Sequence, residues 1–207
     1  MFEKGSDVAG GASRANSGIV HAGYDCAPGT KKAYYNVKGN AMYPDLCAEL
    51  GVSLGRCGTI VAGDAKSLSK IKLLEEKAKK NGVETKILKR TEILDIEPNI
   101  ANQIEYALYA PSGGIVSPYK LTIALADNAV LNGAEVFLGK KVDRIEDKGG
   151  MFTVYAGGFE VSAKYIVNAA GAGAPEVNAL CGAEKIHQTF RRGEYLLVDN
   201  SEIGNIR

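Results

Sequence analysis

The stretch from Gly10 to Gly23, Gly-Gly-Ala-Ser-Arg-Ala-Asn-Ser-Gly-Ile-Val-His-Ala-Gly, constrains this chain more than any other. Glycines at 10, 11, 18 and 23 permit positive φ and let main-chain N–H groups approach a ligand. Ser13, Asn16 and Ser17 add short hydrogen-bonding arms, and Arg14 adds a fixed positive charge. Such a set suits an anion of the diphosphate kind. A mobile surface loop is the competing reading. It accounts less well for an ending in apolar Ile19 and Val20 and ionisable His21.

The rest of the composition narrows the partners. The 25 glycines exceed the ordinary share of about 7% and gather at 10–23, 113–114, 149–158 and 171–173, where backbone turns tightly or touches a ligand. A net charge of +1, with both signs interspersed, gives no overall field for nucleic acid or an anionic membrane. Cys26, Cys47, Cys57 and Cys181 have no CxxC spacing and, with two histidines, make no zinc or iron–sulfur set. They read as reduced, partly buried thiols. No apolar run approaches the roughly 20 residues of a spanning helix, and the first residues lack a signal-peptide pattern. The expectation is a soluble, cytoplasmic protein.

Taken in order, Glu3 sits where a strand's carboxyl edge is expected. There an acidic side chain can bind the two hydroxyls of a ribose, although a solvated charge near a terminus fits equally well. A helical segment is predicted over 31–50, split or kinked by Gly39 and Pro44. A strand centred on 59–62 and an exposed helix over 67–81 follow, then a capped turn at 91–95. A strand at 106–109 leads to the Pro111-Ser112-Gly113-Gly114 turn. Ser117-Pro118 announces a helix to about Asn132, apolar on more than one face and therefore expected to be buried. A short strand is expected at 135–138, then an antiparallel meander of strands at 141–146, 152–155 and 159–161. Residues 165–170 read as a buried strand ending in a glycine turn that opens a helix at Pro175, and 193–199 as a last strand.

The turn at Gly171-Ala172-Gly173 is an incomplete dinucleotide fingerprint, because Glu176 stands where a third small residue belongs. Glu3, the glycine-rich stretch and this turn nevertheless give three segments able to converge on one extended ligand at the carboxyl ends of parallel strands.

With these residues in place, the sequence resembles the FAD-dependent oxidoreductases of the D-amino-acid oxidase superfamily, in the branch of the glycerol-3-phosphate dehydrogenases and L-2-hydroxyglutarate oxidases. The resemblance rests on Glu3-Lys4, Gly11 to Gly23, Pro111 to Val116, Ile166 to Gly171 and Arg191-Arg192-Gly193-Glu194-Tyr195, and it covers nearly the whole chain. It implies a mixed α/β chain, an incomplete Rossmann-like FAD-binding domain (1–40 and 111–182) interleaved with an antiparallel-sheet substrate domain (41–110 and 183–207). It further implies that Glu3 holds the FAD ribose and that Ser13, Arg14, Asn16, Ser17 and Gly18 line the diphosphate and flavin. His21 and Gly23 would lie near the isoalloxazine ring. Val142 would contact adenine through its backbone, and Ala170, Gly171 and Gly173 would pass close to the cofactor. Arg191 or Arg192 would stand at the entry to the substrate site.

No GxGxxG strand and helix precede Glu3, so the chain reads as an internal piece of a longer enzyme. On its own it is expected to lack FAD and activity, and to self-associate through exposed sheet edges. The reaction implied is hydride removal from a small anionic substrate, glycerol 3-phosphate first, then 2-hydroxyglutarate or an amine. His21 is the candidate for the accompanying proton, histidine being the residue type that exchanges protons near neutrality. A packed structural histidine is the alternative. Arg191 and Arg192 either clamp a carboxylate or phosphate or are solvated surface residues. His187 reads as structural. A non-catalytic binding domain of the same architecture is the rival function.

Overall fold

A computed structural model of the chain describes residues 1–191, 193–195 and 199. It is a mixed α/β structure whose three sheets each hold three antiparallel strands. Among the described residues two compact units are present, one formed by Gly18–Ser117 with Tyr195 and Asp199, the other by Met1–Ser17 with the described part of Pro118–Glu194.

In the Gly18–Ser117 unit the elements run β1 (Ile19–Val20), α1 (Lys31–Glu49), β2 (Leu54–Gly55), β3 (Thr59–Gly63), α2 (Leu68–Lys80), β4 (Lys86–Lys89), α3 (Arg90–Ile96), β5 (Tyr106–Ala110) and β6 (Gly114–Val116). Strand β6 is the centre of one sheet, pairing Ile115 with Ile19 and Val116 with Leu54. This pairing carries residues 18–40 and 111–117 into the unit. Strand β5 is the centre of the other sheet, where Leu108 faces Val61 on one side and Ile87 on the other. Strand β5 is covered on both faces, with Ala107 buried on one and Leu108 and Ala110 on the other. Leu88, Ile93 and Ala107 form one core cluster, with Ile60, Ile100 and Ile104 packed against it. Ala22, Ala78, Val83 and Ala110 form a second, against Tyr24 and Val37. Full burial of a side chain such as Ile93 contributes about 1.5–3 kcal/mol.

Local signals account for most boundaries. Thr30 Oγ1 accepts from the Ala33 N–H at 3.2 Å and caps α1. Asp64 accepts from the Ser67 N–H at 3.0 Å and the Ser67 hydroxyl at 2.7 Å, holding the 3₁₀ turn Ala65–Ser67 that leads into α2. Asn81 and Gly82 close α2, with Gly82 at φ 72°. At 91–95 a helix, α3, replaces the expected turn. Glu92 starts it by accepting from the Lys89 N–H at 3.0 Å while pairing with Lys86 at 2.7 Å.

Helix α1 corrects one half of an expectation, the split at Gly39 and Pro44. It runs unbroken through Gly39 and Pro44. Proline lacks the N–H that would bond the carbonyl four residues back, which here belongs to Asn40. Arg56 Nη2 donates to that Asn40 carbonyl at 2.9 Å and replaces the missing bond.

In the other unit, α4 (Pro118–Leu131) is followed by the expected meander of β7 (Val142–Asp147), β8 (Phe152–Ala156) and β9 (Phe159–Ala163), then by a 3₁₀ turn (Gly171–Gly173) and α5 (Ala174–Leu180). Phe2, Phe137 and Phe159 stack in sequence, with ring centroids 5.2 and 5.1 Å apart.

Four expectations change in this unit. Helix α4 buries only Leu121 among its residues, and Leu131 is 85% exposed. Residues 135–138 contribute a single parallel bridge, Phe2 to Phe137, rather than a strand. Residues 165–170 form no strand, and Tyr165 and Val167 are 86% and 88% exposed. Apolar composition alone makes no strand where no neighbour completes the ladder. That bridge is also the one parallel pairing among the described residues, so the segments do not meet at the ends of a parallel sheet. The last strand expected at 193–199 falls partly outside the described residues, and 193–195 and 199 are not in a strand.

Cys26 and Cys47 are buried, and burial raises both thiol pKa values. Cys57 is exposed, contrary to the expectation of a partly buried thiol.

Candidate functional site

Glu3 lies in the first segment, where the Glu3 N–H donates to Phe137 O at 3.0 Å and the Glu3 carbonyl accepts from the Lys140 N–H at 2.8 Å. Its carboxylate accepts from the Gly5 N–H at 2.6 Å, which fixes the orientation of one oxygen. A carboxylate has two oxygens and about four acceptor positions, so capacity for a vicinal diol remains. Two residues past Lys140, β7 begins at Val142, where the register shifts by a β-bulge before Arg144. Lys141 Nζ then pairs with Glu176 at 2.7 Å, tying the start of β7 to the first turn of α5.

Residues 3–4, 140–142 and 171–176 thus come together within one unit. The negative charge of Glu176, the feature that spoiled the glycine fingerprint, is answered by Lys141 and more weakly by Lys4. Gly171 has φ 55° and open space where a Cβ would lie. Asn168 braces the turn, donating to Ala174 O at 2.9 Å and accepting from the Ala170 N–H at 3.2 Å. Gly173 N–H donates to Ala170 O at 2.9 Å.

Linkage gives this pair a pH signature. Its hydrogen bond to Lys141 lowers the Glu176 pKa, and the same bond raises that of Lys141. The Glu176 part of the stabilisation is present above the ordinary carboxylate pKa and is lost as pH falls through the lowered folded value. The Lys141 part is present below the ordinary lysine pKa and is lost as pH rises through the raised one. In Lys141→Met, an NMR titration of the Glu176 carboxylate is expected to move upward toward the ordinary value. An unmoved titration would show that the two do not pair in solution.

The glycine-rich stretch is exposed from Gly10 to Ser17, so Ser13, Arg14 and Ser17 stand in the open beside small residues. Asn16 shapes the loop by donating from Nδ2 to the carbonyls of Ala12 and Ser13 at 3.0 and 3.1 Å. A Cβ at Gly11 would meet nothing. Arg191 is exposed in irregular structure, and Arg192 lies outside the described residues.

Gly18, His21 and Gly23 belong to the other unit. Gly18 is buried at φ 68°, and its carbonyl accepts from the Val116 N–H at 2.9 Å. Gly23, at φ 97°, has a structural reason to be glycine, because a Cβ there would lie 2.9 Å from Val37 Cγ2 and 3.0 Å from Asn36 Oδ1. The His21 side chain is exposed while its neighbours Val20 and Ala22 are buried. A hollow of about 520 Å³ adjoins Ala22, lined also by Val37, Asn40, Arg56, Glu84 and Ser112. Asn40, Arg56 and Asn81 carry the backbone of this region, and sequence reading missed all three. An asparagine inside a helical pattern and another at a helix end carry no local sign of partners 19 and 58 residues away.

Residues 1–206 match the family described as FAD dependent oxidoreductase, DAO. The chain belongs to that family. It is 41% identical over its whole length to a glycerol 3-phosphate dehydrogenase of Caloramator mitchellensis, covering 43% of that protein. It is 30% identical over 99% of its length to the L-2-hydroxyglutarate dehydrogenase of Escherichia coli strain K12, covering 49% of it. Among solved structures, the dithionite-reduced L-alpha-glycerophosphate oxidase of Mycoplasma pneumoniae with FAD bound superposes with a TM-score of 0.82 over 89% of this chain and 50% of that one, at 23% identity. Glycine oxidase of Geobacillus kaustophilus gives 0.79 over 87% of this chain and 50% of that one, at 26% identity. The chain therefore spans about half the length of these relatives.

The residues of the unit that holds Glu3 fit FAD. Glu3 is an oriented carboxylate with spare acceptor capacity, and the exposed Gly, Ser and Arg donors of 10–17 suit a diphosphate. Among the described residues no cluster of His, Cys, Asp and Glu could hold a metal ion, and no helix is long and apolar enough to cross a membrane.

Proposed function

We propose that this chain works within a longer flavoenzyme that oxidises glycerol 3-phosphate. In this reading the Met1–Ser17 and Pro118–Glu194 unit is the FAD-binding part, and the Gly18–Ser117 unit is the substrate part. The assignment moves 18–40 and 111–117, which follow the β1–β6 pairing, from the cofactor side to the substrate side, and 183–194 from the substrate side to the cofactor side. The meeting of residues 3–4, 140–142 and 171–176 around the Lys141–Glu176 pair is the observation that carries the reading.

Glu3 would accept hydrogen bonds from the ribose hydroxyls, and the Val142 backbone would meet adenine. Ala170, Gly171 and Gly173 would let backbone approach the cofactor, while Ser13, Arg14, Asn16 and Ser17 would line the diphosphate. FAD supplies hydride acceptance from a substrate C–H bond. His21 would take the proton that leaves the substrate hydroxyl, and Arg191 or Arg192 would clamp the substrate's anionic group. Gly18 and Gly23 would serve the His21 segment through their backbone conformations. The 41% identity to a glycerol 3-phosphate dehydrogenase supports that substrate over others. The 30% identity to an L-2-hydroxyglutarate dehydrogenase supports 2-hydroxyglutarate as the second reading. A cytoplasmic setting, and self-association of the 207-residue chain through the exposed segment around Tyr165 and Val167, complete the proposal.

The test is anaerobic mixing of the flavin-loaded full-length protein with glycerol 3-phosphate, 2-hydroxyglutarate, glycine or sarcosine. The expected result is loss of visible flavin absorbance with glycerol 3-phosphate ahead of the rest. Bleaching by one of the others alone overturns the substrate. A folded full-length protein that never takes up flavin overturns the enzyme reading and favours a binding domain.

A further inference from the structure

The segment after β1 is held by side chains from far along the chain. Asn40 is 7% exposed, and its Nδ2 donates to the His21 carbonyl at 3.0 Å and to the Ser112 carbonyl at 2.9 Å. Its Oδ1 accepts from Arg56 Nη1 at 3.0 Å, and Arg56 Nη1 also donates to the Ser112 carbonyl. Arg56 Nη2 donates to the Asn40 carbonyl, the one left without an N–H by Pro44. Both Asn40 oxygens and both of its amide hydrogens are therefore in use. Asn81, at the end of α2, donates to the Gly23 carbonyl at 3.0 Å and to the Cys26 carbonyl at 2.9 Å. Gly23 closes against Val37 and Asn36 of α1 with no room for a Cβ. Three backbone carbonyls, at 21, 23 and 26, are thus anchored while the His21 side chain stays exposed.

We propose that Asn40, braced by Arg56, is a positioning residue that sets the His21 main chain and, through it, the direction of the imidazole. The inference rests on the reading of His21 as the proton-handling group. A buried donor shared by two carbonyls is costly to remove, because the His21 carbonyl loses the side chain that holds it while the Ser112 carbonyl keeps only Arg56 Nη1. A loop fixed at its own peptide bond holds its side chain within the narrow range that proton transfer requires. Pro44 and Arg56 belong to the same device. The proline leaves a helix carbonyl open, and the arginine that fills it is thereby placed against Asn40 Oδ1. Three of the five Arg56 N–H groups are taken up in this way, so Arg56 braces the hollow rather than standing ready to bind an anion in it.

Asn40→Asp separates this role from general packing. It keeps an acceptor for Arg56 and removes the donors to His21 and Ser112. The expected results are a change in the His21 imidazole NMR chemical shifts in this chain, and a fall in kcat of about 10- to 100-fold with KM within about twofold in the flavin-loaded full-length protein. Arg56→Lys, which leaves the Asn40 donors intact, is the second variant should Asn40→Asp fold poorly, and a kcat loss smaller than that of Asn40→Asp is expected. A lowered melting temperature with unmoved His21 shifts and unchanged kcat, in either variant, overturns the proposal and leaves Asn40 as packing alone. His21→Gln with unchanged kcat would overturn the reading of His21 instead, and the NMR shifts would still report whether Asn40 orients it.

Discussion

If His21 handles the proton as proposed, His21→Gln in the flavin-loaded full-length protein is expected to lower kcat by about 10²- to 10⁴-fold, the range that a positioned acid or base contributes. Glutamine keeps a polar side chain of similar reach and cannot accept the proton. Because the His21 side chain is exposed and its anchoring is through the main chain, the substitution is expected to leave the thermal transition and flavin content unchanged. Stopped-flow reduction of the flavin by glycerol 3-phosphate reads the effect directly. A rate within about twofold of the unsubstituted protein would return His21 to the structural histidine that the sequence also allowed.

The second large effect is one of stability. Leu108 is fully buried at the centre of β5, flanked by Val61 of β3 and Ile87 of β4. Leu108→Ala removes buried methyl groups from a strand whose two neighbours cannot both collapse inward, and a loss of about 2–5 kcal/mol follows. Urea unfolding followed by circular dichroism measures it as a shift in midpoint. Leu131→Ala is the matching control. At 85% exposure it is expected to change stability by no more than about 0.5 kcal/mol. Equal losses at the two positions would mean that the sheet around β5 is not the core of its unit.

Much of this fold was legible in the residues, and the reasons separate the successes from the failures. The meander of β7, β8 and β9 announces itself through alternating residues and the Gly149-Gly150 and Gly157-Gly158 turns, all within 22 residues of Val142. The start of α4 at Pro118 and the closing of α2 at Asn81-Gly82 are equally local. The continuity of α1 through Pro44 is not. It depends on Arg56, and nothing near Pro44 says that a guanidinium will fill the gap. The segment at 165–170 fails for the opposite reason. Its apolar pattern is that of a buried strand, but Tyr165 and Val167 find no strand beside them among the described residues.

The site shows the same division. Glu3, the stretch from Gly10 and the Gly171 turn could be singled out because glycine, short polar side chains and an acid are visible locally, and their roles toward the cofactor are proposals. The neutralisation of Glu176 by Lys141 was not readable, since the partners are 35 residues apart. Nor were Asn40 and Asn81, whose work is done on distant carbonyls. Gly23 was readable as special, and its φ of 97° is the positive value that glycine permits. Its missing Cβ makes room for Val37 and Asn36 of α1, whatever else lies near it.

The most direct measurement is the affinity of the apo full-length protein for FAD and for FMN, by titration calorimetry, with and without Glu3→Ala. If residues 3–4, 140–142 and 171–176 hold the adenosine end of the cofactor, the substitution removes charge-assisted bonds to the ribose and weakens FAD about 10- to 100-fold. FMN, which has no adenosine, is left within about twofold on the same grounds. FAD affinity untouched by Glu3→Ala, or an equal loss for both flavins, would contradict the account.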